Sequence, residues 1–176
     1  MMSAKELWHD YISEKKKIYD LIVPKQADNA LISEANWITR SQYSWGGDLG
    51  VHVQIGDICY LDFGQSYLNE MGYQHFGLVF SIFAKKALII PMTSNVFTYA
   101  KAYDQRQRPT GKEHLMQIGL IPGLVRPSVL FLNDLRFINT ARVIDIKAHI
   151  SPASSLFKKI EHGVIKVIFG SNSLKL

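Results

Sequence analysis

The stretch GDICYLDFGQSYLNEMGYQHFGLVFSIFAKKALIIPMTSN, from Gly56 to Asn95, decides how the rest of the chain is read. Three short apolar segments stand in it, at residues 58–63, 78–83 and 88–92. Each has the length of a strand, and turn formers bound them: Gly56 and Asp57 before the first, Gly64 after it, Lys85 and Lys86 at the tip between the last two. Between Gly64 and Gly77 runs a polar connection holding Asn69, Glu70, Tyr73, Gln74 and His75. Long exposed connections of this kind carry function on a rigid scaffold. The stretch closes on Thr93 and Ser94. If the second and third segments are neighbouring antiparallel strands, His75 just before one and Thr93 just after the other lie at the same end of the sheet.

Upstream, residues 4–23 predict an amphipathic helix, with Leu7, Trp8, Tyr11, Ile12, Ile18, Tyr19 and Ile22 on one stripe and Lys15, Lys16 and Lys17 on a solvated face. Pro24 stops it. A second helix is expected over 28–41, and the run SWGGDLG at 44–50 breaks the pattern. The chain therefore divides into a helical N-terminal extension, 1–50, and a main domain, 51–176. The extension is expected to pack on that domain or on a second copy.

Downstream, residues 96–127 are polar and basic, with Lys101, Arg106, Arg108, Lys112 and Arg126 against Asp104 and Glu113. Tyr99 and Tyr103 are interleaved, a composition that suits either a phosphate-following groove or a solvated loop. Residues 114–118 and 128–132 are strand candidates, and 136–146 offers one or two more. Ser151 before Pro152 signals the start of a closing helix that runs at helical steps to Gly170. About six short strands and one closing helix make a mainly β chain with helices, an α+β fold built on a small, strongly bent sheet or barrel.

At 176 residues, 47% of them hydrophobic, the chain fills one core. No apolar run approaches the roughly 20 residues that a membrane helix needs, and the opening MMSAKELWHDYISEKKK does not read as a secretion signal. One cysteine, Cys59, excludes an internal disulfide and fits a cytoplasmic protein, where it is expected to be a buried, inert thiol. A net charge of +5 favours polyanionic partners. The six histidines show no zinc-ligand spacing, and no phosphate-cradling glycine loop is present, so no metal and no cofactor is expected.

Cleavage of RNA through its own 2′-hydroxyl needs a proton acceptor, a proton for the leaving 5′ oxygen, and donors for the charge on the phosphorane. Histidine can perform either proton transfer near neutrality, and a threonine hydroxyl with backbone amides can supply the donors. Glu70 could serve as a partner base or orient the histidine. Equally, a loop histidine can be structural, Thr93-Ser94 a turn cap, and Glu70 merely solvated.

Across residues 56–170 the chain resembles the MazF/PemK toxins of bacterial toxin–antitoxin systems. GDICYLDFG is similar to that family's opening strand. Glu70, His75 and GLVFS stand where the family has a Ser-Glu loop, Arg-Pro and an apolar strand. Pro91-Met92-Thr93-Ser94 resembles its Pro-Leu-Thr-Ser segment, and SVLFLNDLRFINTARV, with Arg136 and Arg142, its late segment. The resemblance implies an SH3-like barrel, a homodimer, and metal-independent cleavage of single-stranded RNA to a 2′,3′-cyclic phosphate, with neutralisation by a small antitoxin protein. By that resemblance the family's catalytic arginine falls on His75 and its threonine on Thr93; with Glu70 from the reading above they are the catalytic candidates, and Asn69, Tyr73, Gln74 and Ser94, with Lys101, Arg106 and Arg108 of the basic segment, are the RNA-binding ones. His75-Phe76 replaces Arg-Pro and Asn69 replaces the usual serine. A titrating imidazole in place of a fixed cation implies stronger pH dependence or loss of activity. The rival reading is a non-catalytic barrel that binds a protein or nucleic acid.

Overall fold

The computed structural model describes residues 3–104 and 110–170. Arg106 and Arg108 lie outside them.

Two helices open the chain. The first, α1, spans Ala4–Leu21, started by a reciprocal pair in which the Ser3 hydroxyl accepts from the Glu6 amide and the Glu6 carboxylate accepts from the Ser3 amide. The second, α2, spans Pro24–Arg40. Pro24 therefore both ends α1 and opens α2 four residues earlier than the sequence suggests, because its missing N–H costs nothing in a first helical turn. Lys15 pairs with Glu34, and the Tyr19 hydroxyl donates to the same carboxylate at 2.9 Å, so the two helices form an antiparallel hairpin. Burial and that carboxylate push the Tyr19 phenol up to about 12.

Seven strands follow: β1 Asp57–Asp62, β2 Gln74–Phe83, β3 Lys86–Thr93, β4 Leu115–Gly119, β5 Ser128–Phe131, β6 Arg136–Asn139 and β7 Val143–His149. A short helix, α3, Val96–Lys101, lies between β3 and β4, and α4, Ser155–Phe169, closes the described chain. The strands pair antiparallel in the order β4-β5-β3-β2-β1-β7, while β6 pairs with the first half of β3. Register shifts between Val79 and Ser81 in β2, and twice along β1, bend the sheet.

Both faces of this sheet are covered, which is why its central strands read as continuous apolar runs rather than alternating ones. On one face Phe157, Ile160 and Val164 of α4 pack with Ile58, Leu78, Ile90, Met92 and Leu130, and Phe80 stacks on Phe157. On the other, Cys59, Leu61, Phe63, Val79, Ile89 and Val143 form a second cluster, covered by Val51, Val53 and Met71. Cys59 is fully buried, and its thiol is pushed up to about 12 by burial and by Asp57 and Asp145. The expected α+β class, with a bent sheet, a C-terminal helix and N-terminal helices, is the observed one.

Two further boundaries differ from the sequence reading. The closing helix starts at Ser155, capped by the Ser154 hydroxyl, because Ser151 caps a preceding turn instead. More consequentially, β2 begins at Gln74, so His75 belongs to a strand and not to the loop before it. Its pairing with β1 and the packing of Phe76 on Tyr60, ring centroids 5.3 Å apart, extend the strand through polar residues that a sequence pattern assigns to a loop.

Candidate functional site

Register places the site. The β2–β3 ladder ends with Gly77 opposite Pro91 and Phe76 opposite Met92, which leaves His75 and Thr93 each one residue beyond it, at the same end of the sheet. Alternation puts this pair on the face of Val79, Ile89 and Leu61, and Leu61 is the partner of His75 on the other side. Gly77 lies next to His75 on that face. A Cβ there would meet Ile89 Cγ2 at 2.4 Å and Leu61 Cδ2 at 3.2 Å, so its bare backbone is what lets those two side chains close under the site. Both His75 and Thr93 are half-buried, neither sealed in the interior nor free on the surface.

The polarity of the pair follows from its hydrogen bonds. The ring nitrogen Nδ1 of His75 lies 2.7 Å from the Gly72 carbonyl oxygen. A carbonyl only accepts, so Nδ1 carries the proton and Nε2 is the basic nitrogen of the neutral ring. Among the described residues Nε2 has no hydrogen-bond partner. The Thr93 hydroxyl oxygen accepts from the Asn95 amide at 3.2 Å, which leaves its own hydrogen to donate.

The loop that carries Gly72 is closed at its neck by Phe63 and Tyr73: the Phe63 amide donates to the Tyr73 carbonyl and the Tyr73 amide to the Gly64 carbonyl, each at 2.7 Å. The neck needs left-handed backbone at Gly64 (φ 83°), and Tyr73 (φ 57°) adopts it too, a conformation that costs a non-glycine residue energy. Three further contacts hold the loop. The Met71 amide donates to Asp134 Oδ2 at 2.7 Å, Asp134 is paired with Arg136, and the Arg142 guanidinium donates to the Phe63 carbonyl at 2.9 Å. The two arginines that the sequence marks out are thus tied to the loop's base.

The remaining candidates fall in different places. Glu70 and Asn69 are exposed in a turn of the loop, where the Glu70 carboxylate accepts from the Tyr67 amide at 3.5 Å and Asn69 has φ 70°. Gln74, one residue from His75, points to the opposite face and donates to Asp62 Oδ2 at 3.0 Å. Ser94 is exposed just beyond Thr93, and Lys101 is exposed at the end of α3. Two aromatics are exposed on the segments that follow β1 and β3: Tyr67 on the loop, 84% accessible, and Phe97 on α3, 80% accessible. Tyr99 of α3 packs with Val129, the β5 partner of Thr93, so α3 stands beside the histidine–threonine face. The sequence reading passed over Phe97; an asparagine cap three residues before Thr98 is the signal that marks its helix.

Sequence reasoning also missed Asp62. It is buried at the end of β1 and accepts four hydrogen bonds: from the Ser33 hydroxyl, the Asn36 amide, the Gln74 amide and the Gly64 backbone. Burial raises its pKa, but the four donors outweigh burial and hold the carboxyl below the usual range. This carboxylate joins α2 to the strand pair that bears His75. No group of three or more His, Cys, Asp or Glu suited to a metal ion forms among the described residues. No described helix is long and apolar enough to cross a membrane.

No family model and no curated protein matches the chain. Among solved structures it is similar to MazF from Deinococcus radiodurans, with 14% identity, 68% of this chain and 98% of the other covered, and a TM-score of 0.49. It is also similar to the Mycobacterium tuberculosis toxin MazF-mt6, with 11% identity, coverage of 64% and 96%, and a TM-score of 0.45. A third is an endoribonuclease in complex with its cognate antitoxin from a mycobacterial species, with 12% identity, coverage of 67% and 96%, and a TM-score of 0.46. This is a likeness of chain trace and brings no site residue with it.

Proposed function

We propose that this chain is a metal-independent endoribonuclease that cuts single-stranded RNA by attack of the 2′-hydroxyl, acting in the cytoplasm as the toxin of a toxin–antitoxin pair and held in check by a small antitoxin protein. The observation that supports this chemistry is that half-buried His75 and Thr93 lie one step beyond the last pair of the β2–β3 ladder, at the same end of the sheet, with Nε2 of the imidazole unengaged among the described residues. Nε2 takes the 2′-hydroxyl proton, the 2′ oxygen bonds to phosphorus, and the 5′ oxygen leaves with a proton from solvent. The products are a 2′,3′-cyclic phosphate and a 5′-hydroxyl. The Thr93 O–H donates to a non-bridging oxygen as charge gathers there. Tyr67 and Phe97 offer faces on which flanking bases can stack, and Ser94, Lys101 and the basic segment that includes Arg106 and Arg108 would follow the phosphates. Glu70 and Asn69 shape the loop, Tyr73 closes its neck, and Gln74 acts through Asp62. The toxin assignment rests on the ordered sequence pieces from Gly56 to Gly170, which also make residues 1–50 an extension and 51–176 the barrel-like domain, and the protein a homodimer.

The test is purified protein with a long RNA in EDTA, products mapped at their ends. Cyclic-phosphate ends are expected, with His75→Ala and Thr93→Ala losing at least 100-fold in rate; full cleavage by both variants overturns the residue assignment. A second reading, a module that binds nucleic acid or protein without cutting, is favoured by one observation: Glu70 and Gln74 make their contacts elsewhere and do not converge on His75. Binding that survives His75→Ala, with no products from the wild-type protein, would establish it.

A further inference from the structure

A cavity of about 600 Å³ opens between α4 and the edge strand β4. Met116, which lines it, lies in register with Leu130, Met92 and Phe76, so the cavity is on the side of the sheet away from His75. Sites for small molecules and cofactors have volumes of about 300–1,000 Å³. Leu132 and Gly163 line it too, and a Cβ at Gly163 would stand 3.0 Å from Leu132 Cδ1 and 3.5 Å from Met116 Sδ. A longer side chain at 163 would therefore project against both residues and fill the space. A glycine inside a helix costs about 1 kcal/mol relative to alanine, and α4 carries it where it borders this opening.

The rim is cationic. Lys159, His162 and Lys166 fall with Gly163 on one stripe of α4, at steps of three and four residues. Lys166 is held on Glu113 at 3.2 Å and lies 5.7 Å from the centre of the Tyr103 ring, and Lys158 is turned onto Glu161 at 3.0 Å. Lys159 is exposed and has no ion-pair partner among the described residues, which leaves it as the cation that can meet an anion. An apolar hollow with one aromatic wall and an unpaired lysine at its mouth suits a nucleotide: the base enters the hollow and the phosphate stays outside on the lysine.

The chain also connects this cavity to the histidine–threonine face. Ala102, just after α3, is buried with Val129 on that face, and Tyr103, the next residue, lines the cavity, so the chain rounds the β4 edge at this point. There the Tyr103 amide donates to the Lys112 carbonyl at 3.2 Å and the Lys112 amide to the Lys101 carbonyl at 2.8 Å, which brings the exposed residues Lys101 and Lys112 together on the edge. From β3, which ends at Thr93, to β4 is two strand spacings, about 10 Å. We propose that single-stranded RNA held at Thr93 turns over the β4 edge along Lys101 and Lys112 and places one base in this cavity, against Tyr103 and Met116, with its phosphate on Lys159. This rests on the nuclease reading for the RNA at Thr93 and adds a second, remote contact that selects a base away from the cut bond.

The experiment uses the full chain and an uncleavable 2′-O-methyl RNA of about twelve nucleotides, in which one 5-iodouracil is moved along the strand. Irradiation is expected to crosslink Tyr103 or Met116 from one short run of positions, and Gly163→Leu, with unchanged circular dichroism, to abolish those crosslinks. Lys159→Gln is expected to bind this RNA at least threefold more weakly and to lower the slope of log Kd against log salt by about one, while Lys25→Gln on α2 changes neither. Crosslinks confined to β2, the 63–73 loop and α3, or a Lys159→Gln variant with wild-type affinity and salt slope, overturn the proposal; both measurements stand even where Gly163→Leu does not fold. An unmodified RNA that is cut while the cavity shows neither effect removes this subsite and leaves the nuclease reading. One that crosslinks at the cavity and is never cut does the reverse, and absence of RNA binding overturns both.

Discussion

Replacing Asp62 by asparagine probes the join between the hairpin and the strands of the site. The carboxylate accepts two donors on each oxygen: the Ser33 hydroxyl and Gly64 amide at 2.8 Å on Oδ1, the Asn36 and Gln74 amides at 2.8 and 3.0 Å on Oδ2. An asparagine keeps the shape but presents an NH2 to two of those donors whichever way it turns. Hydrogen bonds to a charged group contribute about 1.5–3 kcal/mol each, and rotation of the Asn36 and Gln74 amides recovers part of the loss, so Asp62→Asn should cost about 2–4 kcal/mol. For a protein of this size that lowers Tm by about 5–12 °C.

The same carboxylate predicts a pH signature. Its folded pKa lies below the unfolded value of about 3.9, so its contribution is complete above that pH and is lost as pH falls through the folded pKa. Urea unfolding of wild-type and variant protein should differ fully at pH 7 and converge below about pH 4. A variant within 0.5 kcal/mol of wild type at pH 7, or a difference that persists unchanged at pH 3, would refute the account of Asp62.

Three further outcomes are expected. Gly77→Val should destabilise by about 1–3 kcal/mol through overpacking against Ile89 and Leu61, and lower cleavage by displacing His75; unchanged stability in urea would show that the floor has room. Cys59, buried with its thiol raised to about 12, should resist a thiol reagent in the native state and react on unfolding, so rapid native labelling would contradict its placement. Asp134→Ala, which frees the Met71 amide, should speed hydrogen exchange at Met71 and Gly72 and reduce kcat more than it raises KM, since Gly72 orients His75; exchange as slow as in wild type would remove that role.

The core of the fold is legible in the chain because apolar runs bounded by Gly56, Gly64 and the Lys85-Lys86 tip have one economical reading as central strands. What escapes is decided by tertiary contacts. Gln74 and His75 look like loop because polar side chains hide a strand that only its neighbours define. Asp62 looks like the polar end of an apolar run, yet its partners Ser33 and Asn36 lie 29 and 26 residues upstream, a distance no local pattern spans. Gln74 was expected beside His75, but strand alternation sends adjacent side chains to opposite faces, and that becomes usable only once the strand's true start is known. That His75 and Thr93 stand at the same end of the sheet was legible for a simple reason: two strands joined by a tight tip keep their far ends together.

The central claim is that the imidazole of His75 and the hydroxyl of Thr93 face a common cleft that admits a nucleotide. Nitrogen-detected NMR of the His75 ring, assigned with His75→Gln and followed while a mixed-sequence 2′-O-methyl RNA is added, tests it most directly. The account predicts a proton on Nδ1 and a free basic Nε2 in the neutral tautomer, and shifts at both the His75 ring and the Thr93 amide as the RNA binds. A ring protonated at Nε2, or RNA binding that leaves both residues unmoved, would contradict it.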